Sequence, residues 1–181
     1  VEDPEVELQL TASDNITSTD QLEIQLRNAG DDWEDSQEAP IFDRIQHWTV
    51  ENRDGEKLVE ARLIDNADNF SNVISVKIVL DRQSPEVEHT PVTQAGLGTA
   101  VPISIAVTDN SPVQAVLYFR PAGKREFDQL DMDQQGDGRY AKTLSSDMLE
   151  LGGVYYISVE DALGHQMQLP DQGEEQPYYG I

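Results

Sequence analysis

Thirty-five carboxylates and three histidines are the groups in this 181-residue chain with chemistry to offer. The histidines, His47, His89 and His165, are scattered, there is no cysteine, and no H-x-x-x-H pair exists. A zinc centre needs three or four clustered ligands, so the spacing points away from one. No G-x-S-x-G elbow places a serine for attack. Gly96-Leu97-Gly98 lacks the rest of a phosphate-binding loop and opens a strand rather than a helix. Acid–base catalysis needs a carboxyl whose pKa is raised in a cleft, and carboxylates this abundant are mostly turn and surface residues. The chain is therefore expected to be no enzyme and to need no cofactor. Calcium is the one ligand its loops resemble chemically, because Ca²⁺ takes oxygens from carboxylates, amides and carbonyls. Ser13-Asp14-Asn15, Asp65 to Asn69, Asp109-Asn110 and Asp131-Met132-Asp133 all have that chemistry, and none has EF-hand spacing.

The elements that must carry these loops read as strands. Lys57 to Ser71 and Gly153 to Gln166 each alternate apolar with other side chains and run into an Asp. Each then crosses a short polar turn and leaves as a second extended run. Aligning Asp65 with Asp161 pairs Leu63 with Val159, Ala61 with Ile157 and Val59 with Tyr155. Period-two alternation marks sheets with one buried face. A hairpin seen twice implies two β-sandwiches in tandem. Further strands are expected at 6–12, 22–26, 46–50 and 72–80, with an Asp54-Gly55 turn and a long irregular connection from Asp35 through Pro40. The second half offers 101–107 with Val101, Ile103, Ile105 and Val107 inward, then 113–120, 127–132 and 139–144. A turn is expected at 135–138 and one helical turn at 146–151. Pro85 ends a short linker, giving domains 1–84 and 85–181. Tyr178 and Tyr179 are expected to complete a last edge strand or, as the alternative, to form the join to a following domain.

The net charge is −23, with 7 basic against 20 acidic residues up to Ser84 and 5 against 15 after it. A field of one sign repels nucleic acid and anionic membrane surfaces. No apolar run reaches the ~20 residues that cross a bilayer. Val1 in place of Met suggests processing or excision from a longer chain, and the lack of cysteine leaves the redox compartment open. Asn15-Ile16-Thr17 and Asn69-Phe70-Ser71 match the glycosylation acceptor pattern.

Trp33, the Trp48 strand and the run D-G-E-K-L-V-E-A-R-L-I-D-N-A-D-N-F-S-N resemble the bacterial Ig-like (fibronectin type III-like) repeats of surface and secreted proteins. Asp54, Gly55, Lys57, Val59, Arg62, Asp65, Ala67, Asn69 and Ser71 match that pattern, as do Leu80, Asp81 and Pro85. Asp68 stands where the pattern has Gly, so that turn is expected to be built differently, through Asn or Asp in a left-handed conformation. The second half resembles a related accessory type through V-T-D-N-S-P-V-Q-A-V-L-Y-F-R, G-x-Y-Y-I and D-A-L-G. The resemblance implies an all-β chain of two tandem Ig-like antiparallel β-sandwiches from an exported bacterial protein. Its setting would be extracellular, cell-surface or periplasmic, and its role that of a spacer or protein-interaction segment among neighbouring domains. The alternatives are a calcium-stiffened adhesin segment and a carbohydrate-binding accessory region of a secreted enzyme. Sugar stacking would use Trp33, Tyr118, Tyr155, Tyr156, Tyr178 or Tyr179, although Tyr155 and Tyr156 must face opposite sides.

Ig topology also places the loops. Loops after a domain's second and sixth strands lie at its N-terminal pole and its first-to-second strand loop at the C-terminal pole, so the Asp14 loop is expected at the C-terminal pole of its domain and the Asp65 corner at the other. The Asp109 and Asp161 loops fall at the N-terminal pole of the second domain. A junctional calcium would then draw on Asp14, Asp81, Asp109 and Asp161.

Overall fold

A computed structural model describes residues 1–33, 37–39, 41–171 and 177–181. The chain divides into two compact units, Val1–Arg82 and Gln83–Ile181. Each is an antiparallel β-sandwich with Ig-like strand order.

In the first unit β1 (Glu5–Gln9) pairs with β4 (Ile45–Thr49). The facing sheet runs β3 (Gln37–Ala39), β2 (Glu23–Asn28), β5 (Gly55–Ile64), β6 (Ile74–Leu80). Val6, Leu8 and Trp48 from one sheet meet Ile24, Leu26, Val59 and Ala61 from the other. Trp48 satisfies its indole N–H on Asn28 Oδ1 at 3.0 Å, as a buried tryptophan must. His47 lies on the outer, exposed face, as the alternation requires. A single 3₁₀ turn, Thr19–Gln21, interrupts the β1–β2 loop.

The second unit is fuller. One sheet runs β7 (Glu86–His89), β8 (Val101–Thr108), β12 (Arg139–Leu144), β11 (Asp133–Gly136). The other runs β10 (Asp128–Asp131), β9 (Val113–Pro121), β13 (Gly153–Asp161), β14 (Gln166–Leu169), with β15 (Tyr179–Gly180) on the N-terminal end of β13. Val101, Ile103, Ile105 and Val107 all point into the core, and Pro102 points out. Pro102 sits where β8 lacks a partner on the β7 side, since that pairing starts at Ile105, so its missing N–H costs no ladder bond.

The two long strands occupy the same place in both units. Ile24, Leu26 and Asn28 face Leu63, Ala61 and Val59; Ala115, Leu117 and Phe119 face Val159, Ile157 and Tyr155. The alignment through Asp65 and Asp161 is thus the register of the folded sheets. Two expectations need correction. Gln37–Ala39 forms β3 on the edge of β2 rather than an irregular connection; Asp35, Ser36 and Pro40 lie outside the described residues. Gln135 and Gly136 belong to β11, and the turn narrows to Asp137-Gly138. The 146–151 segment does turn, with Met148 N–H on Ser145 and Leu149 N–H on Ser146. Tyr179 does pair, opposite Tyr155.

Candidate functional site

The repeated acidic corner is one device built twice. Asp65 follows β5, and its Oδ1 accepts the amides of Ala67 at 2.8 Å and Asn69 at 2.9 Å. Its Oδ2 accepts the Asn69 side-chain amide at 2.9 Å. Asp161 ends β13, and its Oδ1 accepts the amides of Leu163 at 2.8 Å and His165 at 2.9 Å. Its Oδ2 takes the His165 Nδ1 at 2.7 Å. The main chain closes both turns the same way: Asp65 N–H donates to Asn69 O at 3.1 Å, and Asp161 N–H to His165 O at 3.0 Å. The residue before the last is left-handed in each, Asp68 at φ 62° and Gly164 at φ 94°. That conformation is free to glycine and open to Asp through its short polar side chain.

These bonds shift the carboxyls. Asn69, through its side chain and then its amide, followed by Ala67, holds Asp65 below the ordinary aspartate value. Burial pushes Asp161 up, but the His165 ring, the His165 and Leu163 amides and the His165 charge together carry it below that value. A carboxyl kept ionised by converging N–H donors is a turn clamp.

The expected metal residues divide. Asp14, in the β1–β2 loop, accepts the amides of Ile16 at 2.8 Å and Thr17 at 2.6 Å. The Thr17 bond, then the Ile16 bond, lowers its pKa, and the Asp65 charge opposes them. Asp14 and Asp65 line one small depression of about 130 Å³. This corrects the expected poles. Glu23, the start of β2, lies opposite Ile64, the end of β5, so the β1–β2 loop arrives beside the β5–β6 corner. The reason is that β1 holds the place that β8, and not β7, holds in the second unit, so the β1–β2 loop corresponds to the β8–β9 loop. Asp81 follows β6, whose Leu80 faces Gly55 at the other end of the sheet; Asp14 and Asp81 are therefore apart. Asp109, in the β8–β9 loop, accepts the amide of Ser111 at 2.7 Å. Val113 faces Asp161, which brings the Asp109 loop to the Asp161 corner.

Two ladders that the sequence reading missed cover the outer faces. In the first unit Arg27 and Arg62 each sit 4.1 Å from the Trp33 ring, and Arg62 lies 4.1 Å from Phe70 as well. Arg27 also pairs with Glu60 at 2.5 Å, and Arg62 Nε donates to Gln25 at 2.7 Å. In the second unit Tyr118 and Tyr156 stack at 4.4 Å and 3°. Phe127 meets Tyr156 edge-on at 5.0 Å, and Arg120 lies 5.0 Å from Phe127. The available signal was period-two: Arg27 and Trp33 flank one strand end, and Arg62 stands cross-strand from Gln25. Tyr155 is fully buried while Tyr156 faces outward. Ring faces covered by each other offer a pyranose little open platform.

One further polar chain closes the second core. Val92 N–H donates to the Tyr155 hydroxyl at 2.9 Å, which lies 3.0 Å from His89 Nε2. His89 Nδ1 lies 2.8 Å from the Ser104 carbonyl, an acceptor only, so Nδ1 carries the proton and Nε2 accepts from Tyr155. Burial lowers the His89 pKa, with the Ser104 bond opposing it.

No family model matches the chain, and no curated protein matches it. Among solved structures it is similar to the FN1–FN3 domains of chicken CNTN1, at 12% identity and TM-score 0.38, covering 92% of this chain. The chain spans 59% of the length of that structure. It is also similar to the D00–D0 domain of intimin, at 16% identity and TM-score 0.36, covering 93% of this chain and 90% of that one. The fold assignment itself rests on strand order and register.

Proposed function

We propose that the chain is a non-catalytic Ig-like module of an exported bacterial protein, serving outside the cytoplasm as a spacer or protein-interaction segment between neighbouring domains. The observation that carries this reading is the pair of acidic corners. The residues with the most chemistry to offer, Asp65, Asp161 and His165, are engaged in closing turns. His89 is likewise held in a core hydrogen-bond chain. The outer faces are tied down by guanidinium and ring stacks, which suit rigid mechanical units better than an open ligand platform. The charge of −23 suits a solvated, unsticky connector.

Melting in EDTA and then in millimolar CaCl₂ tests the reading against a calcium-stiffened adhesin segment. The two Trp residues lie in the first unit and all six Tyr in the second, so Trp and Tyr signals follow the units separately. Equal melting temperatures are expected. A rise of about 5 °C or more with CaCl₂ in either signal replaces the spacer by the calcium reading. A glycan array addresses the accessory role in the same way, and specific sugar binding would displace the spacer.

A further inference from the structure

The β7–β8 connection, residues 90–100, carries no charge in an otherwise acidic chain, and no ionisable side chain occurs from Thr90 to Thr108. Its residues 93–100 are exposed, Leu97 completely. Within it Thr99 N–H donates to Gly96 O at 3.0 Å. Val92 ties the segment to the sandwich: its side chain packs on the core, and its N–H donates to the Tyr155 hydroxyl at 2.9 Å. Tyr155 is fully buried. Its hydroxyl hydrogen goes to His89 Nε2, 3.0 Å away, and the other ring nitrogen is committed to the Ser104 carbonyl. The tether of an uncharged loop therefore hangs on a side chain that titrates near neutrality.

Protonation reverses one link of this chain. A hydroxyl has one hydrogen to give and two lone pairs to receive with, whereas an imidazolium can only give. Once Nε2 carries a proton, the Tyr155 hydrogen has lost its acceptor. The oxygen can take both the imidazolium and the Val92 N–H only by leaving its own hydrogen unpaired in the core, and a buried unpaired donor is costly. Lifting Val92 away relieves this, because water then reaches the hydroxyl, accepts its hydrogen and hydrates the imidazolium.

Of the groups that face the ring, Tyr155 of β13 lies 5.8 Å and Tyr179 of β15 5.3 Å from it, centroid to centroid. Phenols stay neutral in the range where histidine titrates. A groove of about 400 Å³ beside the ring is lined by Tyr140 and Arg139 of β12 and by Glu88. Glu88 and Arg139 flank Ala106 in register, so one charge of each sign stands on that outer face. Glu86 shares the face on β7. β14, which lies beside β7, brings two glutamines, Met167 and Leu169 but no charge; Asp171 beyond it lies by Ser158, on the outer side of that sheet. Burial lowers the His89 pKa, with the Ser104 bond opposing it.

We propose that His89 is an acid-operated latch on the 90–100 segment, and that protonating Nε2 frees Val92 and lifts the segment while the sandwich stays folded. The open form has an imidazole of ordinary value, 6.5, and the latched form binds the proton less readily. Opening therefore becomes easier as pH falls below that value and is reversed above it. What acid presents is an uncharged loop, with Val92 released and Leu97 exposed, on a chain of net charge −23.

Amide hydrogen exchange on the full chain at pH 7.5 and 5.0, with rates corrected for their intrinsic pH dependence, tests the latch. Protection of the Val92 amide is expected to fall about fivefold or more between the two, while amides of the central strand β13 keep theirs. In His89→Gln the Val92 protection should no longer depend on pH. Tyr155→Phe keeps the buried ring and removes the hydroxyl, so Val92 should be unprotected at both values. Constant Val92 protection in the unsubstituted chain would overturn the proposal, and so would a fall shared equally by β13, which is global unfolding. A fall that persists in His89→Gln, or Val92 protection that survives in Tyr155→Phe, would overturn it as well, since the titration or the tether would then belong to another group.

Discussion

The β5–β6 and β13–β14 corners use the same acceptor atoms on the same relative residues, yet the sheets that carry them differ at the far end. In the second unit β9 runs on to Pro121, and Gly153 of β13 lies directly opposite it. In the first unit β2 stops at Asn28, the chain turns through Ala29 and Gly30, and Lys57 stands where Gly153 would. The corner is therefore a local rule that survives changes elsewhere. The strand ends obey a steric rule set by how far the neighbour extends.

Substituting Gly153→Ala should break the comparison hardest. A Cβ there would lie 2.6 Å from the Arg120 carbonyl oxygen and 2.7 Å from the Phe119 ring. Overpacking against a buried ring and fixed backbone costs on the order of 3 kcal/mol. The Tyr-monitored transition should fall by ~15 °C, with the Trp transition unmoved. Lys57→Ala, at the matching place, should barely shift the first unit. Equal falls would mean that the reach of the neighbouring strand does not set the cost at this position.

Next in size is Asp161→Ala, which strips acceptors from two amides and an imidazole at a buried position. Unsatisfied donors make this a drop on the order of 10 °C in the Tyr signal. Asp65→Ala removes the same bonds at a half-exposed corner where water replaces them, and a clearly smaller fall of the Trp signal is expected. If Asp65→Ala does as much damage, the clamp matters irrespective of burial.

Much of this was legible because it is local. Period-two alternation located β5, β8, β9, β12 and β13, since each buries one face. A left-handed Asn or Asp followed from a single departure from the repeat pattern, and the structure places it at Asp68, φ 62°. What escaped was whatever depends on partners distant in sequence. β3 is three residues long and held by β2; β7 has four residues and only Val87 and His89 turned inward. Neither is long enough to show alternation. The Asp14–Asp65 proximity was missed for a different reason: a sandwich's poles follow from which strand comes first, and β1 carries no mark of its place. Arg62 between Trp33 and Phe70 joins three elements, a coincidence that no spacing announces.

The units should also differ in neutral-to-acid behaviour. His89 is half-buried with its pKa lowered, so its unfolded form binds a proton near 6.5 while the folded form resists. A depressed folded pKa gives stability that is complete above the unfolded value and lost as pH falls through the folded one. Protonating Nε2 also evicts the Tyr155 hydroxyl as donor. The Tyr transition should therefore drop between pH 7.5 and 5.5 by less than Asp161→Ala causes, and His89→Gln should flatten that slope. A slope that persists in His89→Gln assigns it to another group.

The smallest effect comes from exchanging the one residue that distinguishes the corners. His165→Asn gives the second corner the Asn69 arrangement, whose side-chain amide reaches the same carboxyl oxygen. At pH 8 the Tyr transition should move by no more than about 2 °C, because the number of bonds to Asp161 is kept. The acid limb should respond instead. Asp161 is held below the ordinary value partly by the His165 charge, which asparagine cannot supply. A carboxyl of depressed pKa stabilises the fold above its unfolded value, and that stability disappears as pH falls through the folded value. With a weaker depression the loss finishes at higher pH, so acid unfolding of the second unit should begin earlier in the variant. Asn69→His should move the first unit the opposite way, toward greater acid resistance. If neither exchange shifts the acid limb, the imidazole acts at Asp161 only as a hydrogen-bond donor, and the two corners are chemically interchangeable.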